Sequence, residues 1–260
     1  MKYLIYDHTF EGLLTAIFTV FEYRYEQVKI ISEQCFSPVL FGEEVPIYTD
    51  ATKAQRVFTK LESLVGKEGV QTLLYAFVSE EEGMENNLLE AVQLILKHPT
   101  DNVLTNFAHP AILSIRKAAK SVGREVHRMK EFVRFEQVGD LYFAKITPFF
   151  DVLPLVVPHF RNRFSDQKWV LYDPQRLYGF AYDLQSVTHF TPADKHFGIT
   201  QAVAYESYET LWRTYFQHIN IKERKNQRYQ MRNLPKRYWK YLPETLLATA
   251  EPQCKLYAPR

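Results

Sequence analysis

Two kinds of hydrophobic periodicity follow one another along this chain, and their order constrains the fold more than any other feature. From about residue 50 to residue 120, apolar residues recur at the three-to-four-residue spacing of helices. Residues 132–190 instead alternate as β-strands do, and a strand at 2–7 followed by a helix at 10–26 opens the chain. Because helices and strands are segregated, the pattern favours an α+β fold over a doubly wound sheet.

The later strands predict an antiparallel sheet. Segments 132–138 and 141–147 flank Gly139-Asp140, a dipeptide typical of hairpin turns. Further strands are expected at 168–172, 177–182 and 186–190. We expect the N-terminal strand to join this sheet, and helices at 10–26, 50–120 and in the C-terminal region to pack against it.

The domain organisation is predicted to be a single globular unit. An α+β core over residues 1–203 would carry a basic helical region, residues 204–260, packed on its surface. Charge is segregated along the chain, since residues 1–103 hold 8 basic against 16 acidic residues and residues 213–260 hold 11 against 3. Such segregation either attracts a polyanion or lets the acidic part dock on the basic part.

Several protein classes are excluded by what the sequence lacks. Two cysteines, Cys35 and Cys254, cannot form a disulfide framework or, alone, a thiolate zinc site. No apolar run is long enough for a membrane span, and the N-terminus reads as a strand, so we expect a cytoplasmic protein. Phosphate-loop, dinucleotide-binding, nucleophile-elbow and metalloprotease motifs are missing, and no metal or cofactor is expected.

One candidate catalytic group lies where the first strand gives way to a helix. Asp7 and Glu11 could transfer a proton or bind a cation, with the titratable His8 between them. The alternative is structural, with a helix cap followed by a first-turn carboxylate that the helix dipole stabilises. If the protein is an enzyme, we expect His127, His159 and Asp173 to converge on the same pocket.

Basic residues recur four apart at Arg116, Lys120, Arg124 and Arg128. On an unbroken helix they would form a stripe about 18 Å long that suits backbone phosphates. A helix interrupted at Gly123 would weaken this stripe, and a solvated helix face is the alternative interpretation.

A second group of polar residues lies between 158 and 176. A phosphate or a carboxylate could bind to His159, Arg161 and Arg163, because the planar guanidinium group can donate two parallel hydrogen bonds to either anion. Asp173-Pro174 is also a common turn opening, so a structural role is equally open.

The segment from 213 to 240 combines nine basic residues with a single acid, Glu223, and with interleaved aromatic residues. This combination is typical of proteins that bind single-stranded nucleic acid, because cations pair with phosphates and unpaired bases stack on aromatic rings. The alternative is a basic helix pair whose aromatic residues pack on the core. The candidate nucleic-acid-binding residues are Arg128, Arg134, Arg161, Arg163, Arg213, Arg224, Asn226, Arg228, Lys236, Arg237, Tyr238 and Trp239.

Seven short motifs, in order, resemble an uncharacterised bacterial family connected with DNA metabolism or repair. They are residues 6–12, residues 127–130 with 132–135, residues 153–155 with 158–160, Trp169 with Asp173, residues 211–213 with 215–216, Arg224 with Asn226, and residues 234–235 with 237–239. The family commonly has a small residue, usually Gly, at the position of His8. Its members are usually encoded beside a radical-SAM protein and in some proteins are fused to a uracil-DNA-glycosylase-like domain. We expect no such domain in this chain.

The resemblance implies work on DNA bases, and our leading hypothesis is a DNA-binding accessory that presents DNA to a radical-SAM partner. Arg224, Arg228, Lys236 and Arg237 would hold phosphates, Tyr238 and Trp239 would stack on bases, and Arg128 and Arg134 would extend the track. Two rivals remain, a base- or nucleotide-processing enzyme and a protein adaptor without DNA contact.

Overall fold

The structure is a computed structural model that describes residues 1–38, 42–100, 102–191 and 234–242. The chain divides into two compact units, Met1–Arg124 and Glu125–Arg260. Helices and two separate β-sheets confirm the α+β class. The predicted boundary near residue 203 lies outside the described residues and stays a prediction.

The first unit is built on a three-stranded parallel sheet. Its strands are β1 (Lys2–Tyr6), β2 (Val28–Ser32) and β3 (Glu43–Pro46), in the order β2-β1-β3. Helix α1 (Phe10–Glu22) returns the chain between β1 and β2, so β2 pairs with β1 in parallel. The N-terminal strand therefore pairs with β2 and β3 in a separate sheet. It does not join the later strands, contrary to expectation.

Short polar side chains cap the first two helices of this unit. The Thr9 hydroxyl accepts a hydrogen bond from the backbone N–H of Gly12 at 2.9 Å, which fixes the start of α1. The carboxylate of Asp50 accepts from the backbone N–H groups of Thr52 and Lys53 and starts α2 (Ala51–Phe77). Short polar side chains thus set where the first two helices begin.

The remaining helices of the first unit include α3 (Met84–Lys97) and the start of α4 (Pro110–Phe132). Helix α4 extends beyond residue 120, where the helical region was expected to end, and continues unbroken past Gly123. Its apolar stripe explains the extension, because Val122, Val126 and Met129 are all buried and offset the roughly 1 kcal/mol cost of a helical glycine. Among the described helices, none is long and apolar enough to cross a membrane.

The second unit contains a five-stranded sheet in the order β4-β5-β6-β7-β8. The strands are β4 (Glu136–Val138), β5 (Leu141–Lys145), β6 (Trp169–Asp173), β7 (Tyr178–Tyr182) and β8 (Val187–Phe190). All neighbours are antiparallel except β5 and β6, because helix α5 (Leu153–Arg163) lies between them and returns the chain. The sheet is therefore mixed rather than wholly antiparallel.

His8 has a backbone conformation that L-residues rarely adopt. Its φ angle is 61°, in the left-handed region where glycine meets no steric cost. The preference for a small residue that the resemblance implies at this position therefore has a physical reason in the turn between β1 and α1.

Gly12 and Gly123 form a matched pair for testing the packing of the first unit. A Cβ on Gly12 would lie 2.1 Å from Asp7 Oδ1, whereas a Cβ on Gly123 would meet nothing closer than the Tyr75 ring at 3.6 Å. We expect Gly12→Ala to lower the free energy of unfolding by about 1–3 kcal/mol and Gly123→Ala to raise it by about 0.5–1 kcal/mol. Urea unfolding followed by circular dichroism measures both, and equal stability of the two variants would contradict this packing.

Candidate nucleic-acid interface

The structure separates the predicted site residues into three groups. Asp7 and Glu11 lie in the first unit, and the described remainder, from His127 to Trp239, lies in the second. Arg213, Arg224, Asn226 and Arg228 lie outside the described residues, so their predicted roles stay predictions.

Asp7 closes the turn between β1 and α1. Its carboxylate accepts hydrogen bonds from the Thr9 hydroxyl and the Thr49 hydroxyl, each at 2.7 Å, and from the backbone N–H of Thr9. Partial burial by itself raises the pKa of Asp7, but these hydrogen bonds outweigh it and hold the pKa below its ordinary value. Glu11 is exposed in the first turn of α1. Asp7 therefore holds the turn in which Thr9 caps α1, and Glu11 is the first-turn acid of the structural interpretation.

His127 and Asp173 are each engaged in local interactions. The His127 ring is exposed and lies 3.0 Å from a carboxylate oxygen of Glu131, one helical turn further on. Asp173 is fully buried, and its Oδ1 accepts from the backbone N–H groups of Gln175 and Arg176. Within the described residues, no hydrogen bond joins either side chain to His159, so the predicted convergence of these three has no support from contacts.

His159 lies on α5 in a positively charged setting. Its Nε2 atom is buried and has no hydrogen-bond partner within the described part of the chain. Burial, together with the nearby charges of Lys130 and Arg163, lowers the pKa of His159 below its ordinary value. Arg161 and Arg163 are exposed on the last turn of the same helix. The last turn of α5 therefore carries positive charge close to His159.

Two other predicted arginines lie at or near the end of α4. Arg134 donates through Nη1 to the backbone carbonyls of Glu131 and Val133, and so covers the carbonyl end of the helix. Arg128 is half-buried on the last two turns of α4. Arg134 thus has a structural task that is independent of any ligand.

A buried carboxylate that the sequence analysis did not single out organises the rest of the interface. Glu125 on α4 is 1% exposed, and it accepts hydrogen bonds from three donors that come from two other segments. Its Oε1 accepts from the backbone N–H of Phe149 at 2.9 Å, and its Oε2 accepts from the Arg237 guanidinium and the Tyr238 hydroxyl. Three donors satisfy a charge that would otherwise be costly to bury.

The loop that carries Phe149 is also held from its other side. Because β5 and β6 are parallel, the loop after β5 and the turn after β6 lie at the same edge of the sheet. Arg176, in that turn, donates to the carbonyls of Pro148 and Phe149 and to the carboxylate of Asp173. The Tyr178 hydroxyl donates to Asp151, two residues beyond Phe149. The backbone around Phe149 is therefore fixed on both sides.

Phe149 presents its ring to solvent from this fixed backbone. The residue is 66% exposed, and its ring packs edge-on against Phe150 with the centroids 4.9 Å apart. The guanidinium carbon of Arg237 lies 5.8 Å from the centroid of the Phe149 ring. The arrangement offers a flat apolar surface beside a cation, the pair of groups that an unpaired nucleotide requires.

The short 3₁₀ helix Lys236–Tyr241 contains the last predicted residues. Tyr238 is 5% exposed, and burial together with its hydrogen bond to Glu125 raises its pKa to about 12. Its ring faces are covered by protein, so in this arrangement it anchors the segment and is not available to stack on a base. Trp239 donates through Nε1 to the carbonyl of Leu234, and Lys236 is exposed.

Two signals in the sequence could have pointed to the missed residues. Glu125 lies on the apolar stripe of α4, between Val122 and Val126, where an acid requires a partner. Phe149 belongs to Pro148-Phe149-Phe150, in which one ring can be buried while its neighbour faces solvent, as Phe150 and Phe149 do here.

Comparison with known proteins places the chain in a family. A family model described as a domain of unknown function, DUF4130, matches residues 82–244, which is more than half of the chain. The chain belongs to this family. No curated protein and no solved structure gives a match. The matched range includes Glu125, Phe149 and Arg237, whereas the turn at residues 6–12 lies outside it.

Removal of the Glu125 carboxylate should loosen the interface. Glu125→Ala leaves the buried Tyr238 hydroxyl and the Phe149 N–H without an acceptor, at about 1–3 kcal/mol for each. We expect lower stability and faster hydrogen exchange at the Phe149 amide. Glu131→Ala removes an exposed acid of the same helix and should change stability by less than about 0.5 kcal/mol. Equal losses in the two variants would contradict the role of Glu125.

His159 gives the second unit a dependence on pH with a definite sign. Because its folded pKa lies below the ordinary value of 6.5, its contribution to stability is complete above that pH and is lost as the pH falls. Urea unfolding at about pH 7.5 and about pH 5 should show a smaller decrease for His159→Gln than for the native protein. An identical decrease in both proteins would show that His159 is not responsible.

Proposed function

We propose that this protein binds DNA as an accessory in DNA metabolism or repair, and that it presents unpaired or damaged bases to a radical-SAM partner. The observation that carries the DNA-binding part is the exposed ring of Phe149, fixed beside the Arg237 guanidinium. The partner rests on the resemblance described above, and the range matched by the family model includes Phe149 and Arg237.

The Phe149 ring suits stacking because the protein holds it in place before any ligand arrives. A flexible aromatic side chain loses conformational entropy on binding, whereas a ring on a fixed backbone loses less. The Phe149 N–H donates to Glu125 and the Phe149 carbonyl accepts from Arg176, and these two hydrogen bonds restrict that backbone from opposite sides. A base on such a ring contributes roughly 1–3 kcal/mol to binding whatever its sequence.

Arg237 retains hydrogen-bonding capacity after it pairs with Glu125. The contacts to Glu125 and Tyr238 both use Nη2. Nε and Nη1 have no hydrogen-bond partner within the part of the chain that the structure describes, and the side chain is 43% exposed. A phosphate could therefore bind the remaining donors, with Lys236 exposed at the preceding position.

The enzyme alternative has less support from the contacts of its proposed residues. The buried carboxylate of Asp173 stabilises its own turn and pairs with Arg176. His127 is exposed and interacts with Glu131, and Asp7 is saturated by threonine hydroxyls. A general base needs to reach the proton that it abstracts, and these groups are engaged in holding local structure.

The Phe149 ring should dominate affinity for single-stranded DNA. We expect Phe149→Leu, which keeps an apolar side chain but loses the aromatic face, to weaken binding by about 1–3 kcal/mol, and Phe149→Trp to preserve it. Fluorescence anisotropy with a labelled single strand measures the difference. The affinity of the native protein should fall as salt is added. Lys236→Gln should make the slope of log affinity against log salt concentration shallower by about 0.7, for one lost phosphate contact.

Three outcomes would decide against the proposal. Undetectable binding to single-stranded and duplex DNA at low salt would exclude DNA contact. Equal affinities of Phe149→Leu and Phe149→Trp would show that the aromatic ring does not contact the DNA. Co-purification with a radical-SAM protein that survives nuclease treatment, without any DNA affinity, would favour the adaptor function instead.

A further inference from the structure

A second concave surface, entirely within the first unit, has the chemistry of a nucleotide site. It is a pocket of about 620 Å³ between the second half of α2 and the first half of α4. Its lining residues are Gln71, Thr72, Tyr75, Phe107, Leu113, Arg116, Lys117, Ala119 and Lys120. The volume falls within the roughly 300–1,000 Å³ that is usual for small-ligand sites.

The charges of this pocket are of one sign. Arg116, Lys117 and Lys120 contribute three cations, and no acidic residue belongs to the lining. Arg116 donates a long hydrogen bond of 3.4 Å to the Thr72 hydroxyl. No ion pair engages these three side chains among the residues that the structure describes. Three unneutralised cations around one cavity attract an anion with two or more charged oxygens.

Flat apolar groups lie beside those cations. Phe107 is 52% exposed, and the guanidinium carbon of Arg116 lies 5.9 Å from the centroid of its ring. Tyr75 is half-buried, and its hydroxyl accepts a hydrogen bond from the Gln71 side-chain amide at 3.0 Å, which fixes its orientation. A ring face next to a cation that keeps free donors matches a base with its attached phosphate.

We propose that this pocket holds a single unpaired DNA nucleotide, with the base on Phe107 and Tyr75 and the phosphates on Arg116, Lys117 and Lys120. The identity of the ligand as DNA rests on the proposed function. A base within a duplex has both faces covered by its neighbours, so only an extrahelical or single-stranded base can enter a concave site. The pocket therefore selects unpaired nucleotides, whereas the open ring of Phe149 accepts any exposed base.

The test uses the full chain and two fluorescein-labelled duplexes that differ by one extrahelical base. The native protein should bind the duplex with the extrahelical base more tightly than the paired duplex. Phe107→Leu should reduce the affinity for the first probe about five-fold or more and leave that for the paired duplex nearly unchanged. Phe107→Trp should retain the preference. Phe107 is exposed, so neither change should disturb folding.

Charge variants test the phosphate half of the site. Lys117→Gln with Lys120→Gln should weaken binding of the probe with the extrahelical base and lower its salt dependence. Lys67→Gln is the matched control, because Lys67 is exposed on α2 in the same unit but does not line the pocket. Equal effects of the control and the double variant would overturn the assignment of the phosphates.

The outcomes separate this proposal from the one above. If Phe107→Leu keeps the native preference while Phe149→Leu weakens binding, the pocket proposal fails and the interface of the second unit stands. If Phe107→Leu abolishes the preference while Phe149→Leu binds as the native protein does, the pocket is the DNA site and the Phe149 interface fails. If the native protein binds neither duplex, the pocket proposal fails, and the Phe149 interface fails with it only if single-stranded DNA is not bound at low salt either.

Discussion

The arrangement of the second unit depends on one buried carboxylate. Glu125, on α4, is the shared acceptor for the loop that carries Phe149 and for the 3₁₀ helix that carries Arg237 and Tyr238. A buried ion pair is weak evidence for stability, since desolvation offsets much of its attraction. Its value here is positional, because the same carboxylate accepts hydrogen bonds from both segments and holds them next to each other. The Phe149 ring and the Arg237 guanidinium are adjacent because the Phe149 backbone N–H and that guanidinium both donate to Glu125.

The parallel pair β5–β6 supplies the other half of this constraint. An antiparallel pair would place the loop after β5 and the turn after β6 at opposite edges, whereas a parallel pair places them at the same edge. Arg176 can therefore reach the carbonyls of Pro148 and Phe149 from the turn that follows β6. Helix α5, which imposes the parallel pairing, also carries the exposed Arg161 and Arg163. Rigid elements thus fix the loop, and the loop presents the groups available for binding.

Signals that depend on neighbouring residues predicted most elements. Features that depend on residues far apart in the chain were not predicted. The caps at Thr9 and Asp50 and the turn at Gly139 depend on neighbouring residues, so the sequence reveals them directly. Strand pairing depends on the whole topology, which is why the N-terminal strand was expected in the wrong sheet. Arg237 lies 112 residues from Glu125 in the chain, and a propensity argument has no means to join them. Its pairing became visible only when the fold brought both together.

The proposed nucleotide pocket takes Gln71, Thr72 and Tyr75 from the acidic part of the chain, and this apparent conflict has a physical answer. Residues 1–103 hold twice as many acidic as basic residues, so their long-range field repels a polyanion. At about 0.1 M salt, however, exposed charges separated by more than about 10 Å are largely screened. Binding then depends on the charges in direct contact, and Arg116, Lys117 and Lys120 share their pocket with no acid. Glu80, Glu81, Glu82 and Glu85 line a different pocket of the same unit, so a phosphate distinguishes the two surfaces by local charge.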